Sequence, residues 1–206
     1  MSELLNSVIK QVESFLLEKG YSRSARDSFS KRFKGIEREE VIHFSERKGK
    51  RELYDYIYIG VTSSIYFANV NALDKKIIKD PLNSHPIISG SIGHYKKSDS
   101  CIISIPMNRF EQKDEVSKAI ITNIQQGAFN LFKSYPDLNS IILGIEKNDE
   151  WLKNYTKLLD LRMSIRLAAI YHLVKSKEYA ISWFDNSQIE SDKKRKEIIM
   201  KMKREW

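Results

Sequence analysis

The chain has 206 residues, 41% of them hydrophobic and 30% charged, which is enough apolar material for a packed globular core. The 11% aromatic content excludes a fully disordered chain, and a single Cys excludes a disulfide framework or a multi-cysteine zinc site. The net charge of +8 is uneven: residues 19–51 hold 11 basic and 5 acidic side chains, and residues 190–206 hold 7 and 4.

In chain order, Leu4, Leu5, Val8, Ile9, Val12, Phe15 and Leu16 recur at helical spacing, and Gly20 reads as the stop of a helix over 3–19. Phe29, Lys31 and Phe33 alternate on a first strand. Val41, His43 and Ser45 alternate with Ile42 and Phe44 on a second, and Glu46–Arg51 is the polar turn after it. Tyr54, Tyr56 and Tyr58 alternate with Asp55, Ile57 and Ile59 on the clearest strand. Ile65, Tyr66, Phe67 and Val70 continue it or pair back through Thr62–Ser64. Residues 74–100, with Pro81, Pro86, Gly90 and Gly93, read as the loosest stretch, and Cys101–Pro106 as a further strand.

From Asp114 the period is helical. One stripe runs through Val116, Ala119, Ile120, Ile124, Gly127, Ala128, Leu131 and Tyr135 and is broken by Pro136; a second runs from Leu138 to Ile145. A long helix is expected from Trp151 to Val174, a short one from Lys175 to Asp185, and a basic one from Ile189 onward. Strands early and helices late predict an α+β protein. It has an N-terminal helix, an antiparallel sheet of about four to six strands and a C-terminal helical half. A single domain over 1–206 is expected, with helix and sheet in 1–110 and a packed helical extension in 111–206.

The opening MSELLNSVIKQVESF is periodic and interrupted by Glu3 and Glu13, unlike a signal peptide, so a reducing cytoplasm is the expected compartment. The charge-free stretch Tyr56–Leu73 carries too many Ser, Thr and Asn residues for a lipid-facing helix, and no membrane association is expected. His43 and His172 lie on regular elements, His85 and His94 in the loose stretch. Their spacing is not that of zinc ligands, and no metal or other cofactor is expected. Cys101 reads as a buried strand residue rather than a nucleophile. Glu46-Arg47-Lys48 has an acid-x-Lys form without a companion Asp on a preceding strand, so a nuclease-like enzyme with an unrecognised site is a distant alternative. No phosphate loop, dinucleotide Gly pattern or nucleophile elbow occurs, and no catalytic residues are assigned. Lys31, Arg32, Lys34, Arg47, Lys48, Lys50 and Arg51, with the C-terminal tail, make nucleic-acid binding the principal alternative.

Four segments occur in an order that resembles a known family. The opening helix runs into Leu17-Glu18-Lys19-Gly20-Tyr21-Ser22-Arg23 and Ser28-Phe29-Ser30-Lys31-Arg32-Phe33. The Tyr- and Ile-rich Tyr54–Val61 and then Ser91-Ile92-Gly93-His94-Tyr95 follow. Last come Arg166-Leu167-Ala168-Ala169-Ile170-Tyr171 and Ser176-Lys177-Glu178-Tyr179-Ala180. Together they resemble a bacterial family of unknown function, the domain-of-unknown-function family 4304. The resemblance implies a small cytoplasmic α+β protein, in some cases an immunity protein beside a polymorphic toxin system. It carries no catalytic set. The expected function is that of a non-catalytic, defence-associated binding protein that masks a partner protein such as a toxin. Tyr54, Tyr56, Tyr58, His85 and His94 are the candidate contacts.

Overall fold

The computed structural model of the chain describes residues 3–51, 54–78, 85–91, 102–106, 113–149, 152, 161–187 and 191–206; for 47–51, 54–58, 91, 102–106 and 192 the backbone alone is described. These residues form two compact units, each drawn from three stretches of chain. One takes 1–33, 39–65 and 89–134; the other takes 34–38, 66–88 and 135–206.

The first unit opens with α1 (Glu3–Glu18), whose apolar stripe Leu4, Leu5, Val8, Ile9, Val12 and Leu16 is buried. Gly20, at φ +80, takes the left-handed position after the helix. The Tyr21 amide then bonds the Leu16 carbonyl at 3.0 Å and the Gly20 amide the Leu17 carbonyl at 2.9 Å, which closes the last turn. Strands β1 (Ser22–Ala25) and β2 (Ser28–Phe33) form an antiparallel pair with a bulge between Arg23 and Ala25. A short, exposed and bulged edge of this kind discourages pairing with other chains.

β3 (Arg38–Arg51) and β4 (Tyr54–Phe67) make a long hairpin. Glu46–Arg51, expected as a turn, continues the strand, and Thr62–Ser64, read as a possible reversal, lies inside β4. The register is the same wherever it can be checked. The Ser45 hydroxyl donates to the Gly60 carbonyl at 3.4 Å, and the Ala68 amide donates to the Glu37 carbonyl at 2.9 Å. On β3 the even positions 38, 40, 42 and 44 are buried, and on β4 the odd positions 59, 61, 63, 65 and 67 are buried. One face of the ribbon therefore turns inward over 38–44 and 59–67. β5 (Ile88–Ser91) and β6 (Ile102–Pro106) both border β4, with β6 antiparallel from Tyr56↔Pro106 to Gly60↔Ile102. The sheet order is β1-β2-β3-β4-β5, and the α+β class stands.

α3 (Lys113–Asn123) packs on α1 and continues through a π turn, Ile124–Ala128, into α4 (Phe129–Ser134). Phe15 and Tyr21 both stack on Phe129 at 5.9 Å between ring centroids. The expected stripe is buried except for Ala119, which is exposed because the buried side of α3 runs through Val116, Ser117 and Ile120.

The second unit contains α2 (Ala68–Ile78), α5 (Leu138–Glu146), α6 (Leu161–Val174), α7 (Lys177–Asn186) and α8 (Asp192–Glu205). α2 corrects the expectation that Val70 lies on a strand and that residues from 74 onward are loose. α5 starts with a reciprocal cap: the Asp137 carboxylate accepts from the Ser140 amide at 2.8 Å, and the Asp137 amide donates to the Ser140 hydroxyl at 3.2 Å. α6 covers the C-terminal part of the long helix expected from Trp151. Positions 153–160 lie outside the described residues.

Candidate functional site

α6 is buried at every position from Ser164 to Tyr171, so it forms the centre of its unit. Arg166 cannot sit there unpaired. Its Nε and Nη2 donate to one carboxylate oxygen of Asp74 on α2, at 3.2 and 2.8 Å, and its Nη1 donates to the Pro86 carbonyl at 3.3 Å. Both side chains are nearly closed to solvent, at 7% and 8% exposure. One turn earlier on α6, Arg162 Nη1 lies 3.2 Å from Nε2 of His85. His85, predicted as a partner contact, is thus half-buried and tied to α6.

At the joint between α6 and α7 the chain brings three rings and a cation together. Tyr171 lies 5.2 Å from Tyr179 and 5.3 Å from Trp183. The Lys175 ammonium sits 4.3 Å from the Tyr179 ring centre and 5.4 Å from that of Tyr171. It also donates to the Tyr179 hydroxyl at 3.3 Å and to Glu146 at 3.4 Å. The hydrogen bond to Tyr179, then that to Glu146, raises the Lys175 pKa. Burial, helped by Tyr179 and Glu146, raises that of Tyr171. Ser176 caps α7 by accepting from the Tyr179 amide, which fixes the ring's starting point. Tyr179 remains 41% exposed and Trp183 half-buried, so the cluster is held from below and open above. This cluster was not among the predicted site residues. Its signal was present in the sequence: 171, 175, 179 and 183 are four apart, one helical face, but the helix joint at 175–176 conceals the continuity.

α8 docks by its inner face. Ile198 and Met202 are buried, the Trp206 indole donates to the Leu73 carbonyl at 3.2 Å, and its ring stacks on His172 at 5.3 Å. Lys177 and Lys76 donate to the carbonyls of Lys203 and Glu205, at 2.7 and 3.3 Å, at the negative end of the helix. Burial first, and then Lys177, lowers the His172 pKa. Lys193, Lys196, Met200, Lys201, Lys203 and Arg204 are exposed.

The remaining predicted residues are dispersed. Lys31 donates to the Lys19 carbonyl at 3.0 Å and lies over the rings of Tyr21 and Phe33. Arg32 is exposed and bonds Glu39 at 2.9 Å, and Lys34 is exposed. For Arg47, Lys48, Lys50 and Arg51 the backbone follows β3, and for Tyr54, Tyr56 and Tyr58 it follows β4. Positions 54, 56 and 58 share a strand face with Gly60 and Thr62, opposite the buried Ile59 and Val61. His94 and Cys101 lie outside the described residues. Elsewhere in the first unit, a groove of about 520 Å³ is lined by Glu3, Asn6, Ser7, Lys10, Arg23 and Lys113.

Among the described residues, no group of three His, Cys, Asp or Glu is placed to hold a metal ion, and no helix is long and apolar enough to cross a membrane. No protein-family model, no curated protein and no solved structure matches the chain, so the resemblance to family 4304 rests on the residues quoted for it.

Proposed function

We propose that this chain is a non-catalytic bacterial binding protein of the immunity or defence-associated type, acting in the cytoplasm by masking the surface of a partner protein such as a toxin. The observation that carries this reading is the Tyr171–Lys175–Tyr179–Trp183 cluster. Tyr and Trp are the side chains that most often anchor protein interfaces. Here they are braced before any partner arrives, so little side-chain entropy is lost on binding. The family resemblance points the same way. A nucleic-acid-binding function is the second reading, supported by the +8 charge and the exposed cations of α8.

The test is affinity capture from the native host with the full chain, beside the Tyr179→Ala/Trp183→Ala variant. One protein recovered in equal amount with the wild type, and lost with the variant, supports the reading. Recovery of nucleic acid instead, removed steeply by added salt, would replace it with the second reading.

A further inference from the structure

The outer face of α8 is not a uniform cationic surface. Met200 is 63% exposed, the highest exposure among the large hydrophobic side chains described. Helical spacing puts Lys196 one turn before it and Lys203 and Arg204 one turn after, with Lys193 two turns before on the same line. All four cations are exposed. The exposed Glu197 falls within the same face. An apolar centre with a charged rim is the layout of a protein-binding patch. A phosphate track would gain nothing from the thioether. A membrane surface would require the helix's broad apolar side, and that side is occupied: Ile198 and Met202 are buried, and Trp206 is stacked on His172.

We infer that the outer face of α8 is a docking surface for an acidic protein segment that offers an apolar side chain to Met200 and carboxylates to Lys196, Lys203 and Arg204. This rests on the protein-binding reading and adds the chemistry of the partner. The helix is pre-ordered for the task. Lys76 and Lys177 fasten its C-terminal carbonyls, and Trp206 is pinned to Leu73 and His172. The outer side chains are left facing solvent.

The full chain is titrated with three probes of matched charge at ~0.15 M salt. They are an amphipathic peptide of Glu and Leu, polyglutamate, and a short DNA duplex. The Glu/Leu peptide should bind about tenfold more tightly than the other two, and Met200→Ser should remove that advantage. Lys196→Gln/Arg204→Gln should weaken peptide binding about tenfold while moving the thermal midpoint little, since both side chains lie on the surface and the Arg204–Glu205 pair is exposed. Duplex binding as tight as the peptide's, or a Met200→Ser variant that behaves like wild type, would overturn the inference. A host protein that depends on Tyr179 and Trp183 but not on Lys196 and Arg204 would leave the proposed function standing and remove this inference alone.

Discussion

Arg166 spends two of its donors on a single carboxylate oxygen of Asp74, across the buried junction of α6 and α2. The other carboxylate oxygen is buried without a hydrogen-bond partner among the described residues. The pair is therefore costly to bury and more costly to break. Asp74→Ala should destabilise its unit by about 3–5 kcal/mol, because it strands a guanidinium inside. Asp74→Leu/Arg166→Met should recover most of that loss. Denaturant midpoints for the three proteins check the order. If the single variant proves milder than the double, the guanidinium has another route to compensation.

Gly144 on α5 offers a contrast with Gly35. A Cβ at Gly144 would lie 2.6 Å from Leu152 Cδ1 and 2.9 Å from Tyr135 Cε1, and both neighbours are buried. Gly144→Ala should therefore cost about 1–3 kcal/mol, despite the better helix propensity of Ala. Gly35 has nothing within 4 Å of its Cβ position, so Gly35→Ala should be neutral or stabilise by up to about 1 kcal/mol. Thermal melts of the two variants should move in opposite directions or differ clearly in size.

His172 links stability to pH. Burial first, then Lys177 and Lys76, lowers its pKa, while Glu178 alone opposes them. Its ordinary value is 6.5, so the unfolded chain takes up a proton at a pH where the folded ring stays neutral. The stabilising contribution is complete above about 6.5 and is lost as the pH falls through the depressed folded value. Wild type should lose more stability between pH 7 and 5 than His172→Phe, which keeps a ring against Trp206. Parallel curves would show that the ring's protonation does not matter.

The docking of α8 depends on its last residue. Trp206→Ala removes the indole bond to Leu73 and the stack on His172, at a cost of about 1–3 kcal/mol. Hydrogen exchange should quicken in 192–205 first, and much less in α1. Uniform acceleration across the chain would instead make Trp206 part of the global core.

Where one face of an element is apolar and the opposite face polar, the element could be read directly. Leu4 to Leu16 marks α1, and the alternation of Ile42 and Phe44 with His43 marks β3. α2 was concealed because its inward side carries Asn71 and Asp74, and Asp74 is explained only by Arg166, 92 residues away. α6 is buried at every position from Ser164 to Tyr171, so no single stripe defines it. The candidate cations showed the same limit. Lys31 and Arg32 were visible as charge, but the Lys19 carbonyl and the Glu39 carboxylate that engage them become neighbours only through the fold.

The long β3–β4 ribbon contributes residues 39–65 to one unit, and its outer ends to the other. No single scission of the chain therefore yields two fragments that each retain a whole unit. A cut after 134 leaves the first unit whole and a cut after 33 leaves the second whole, but each divides the other unit between the fragments.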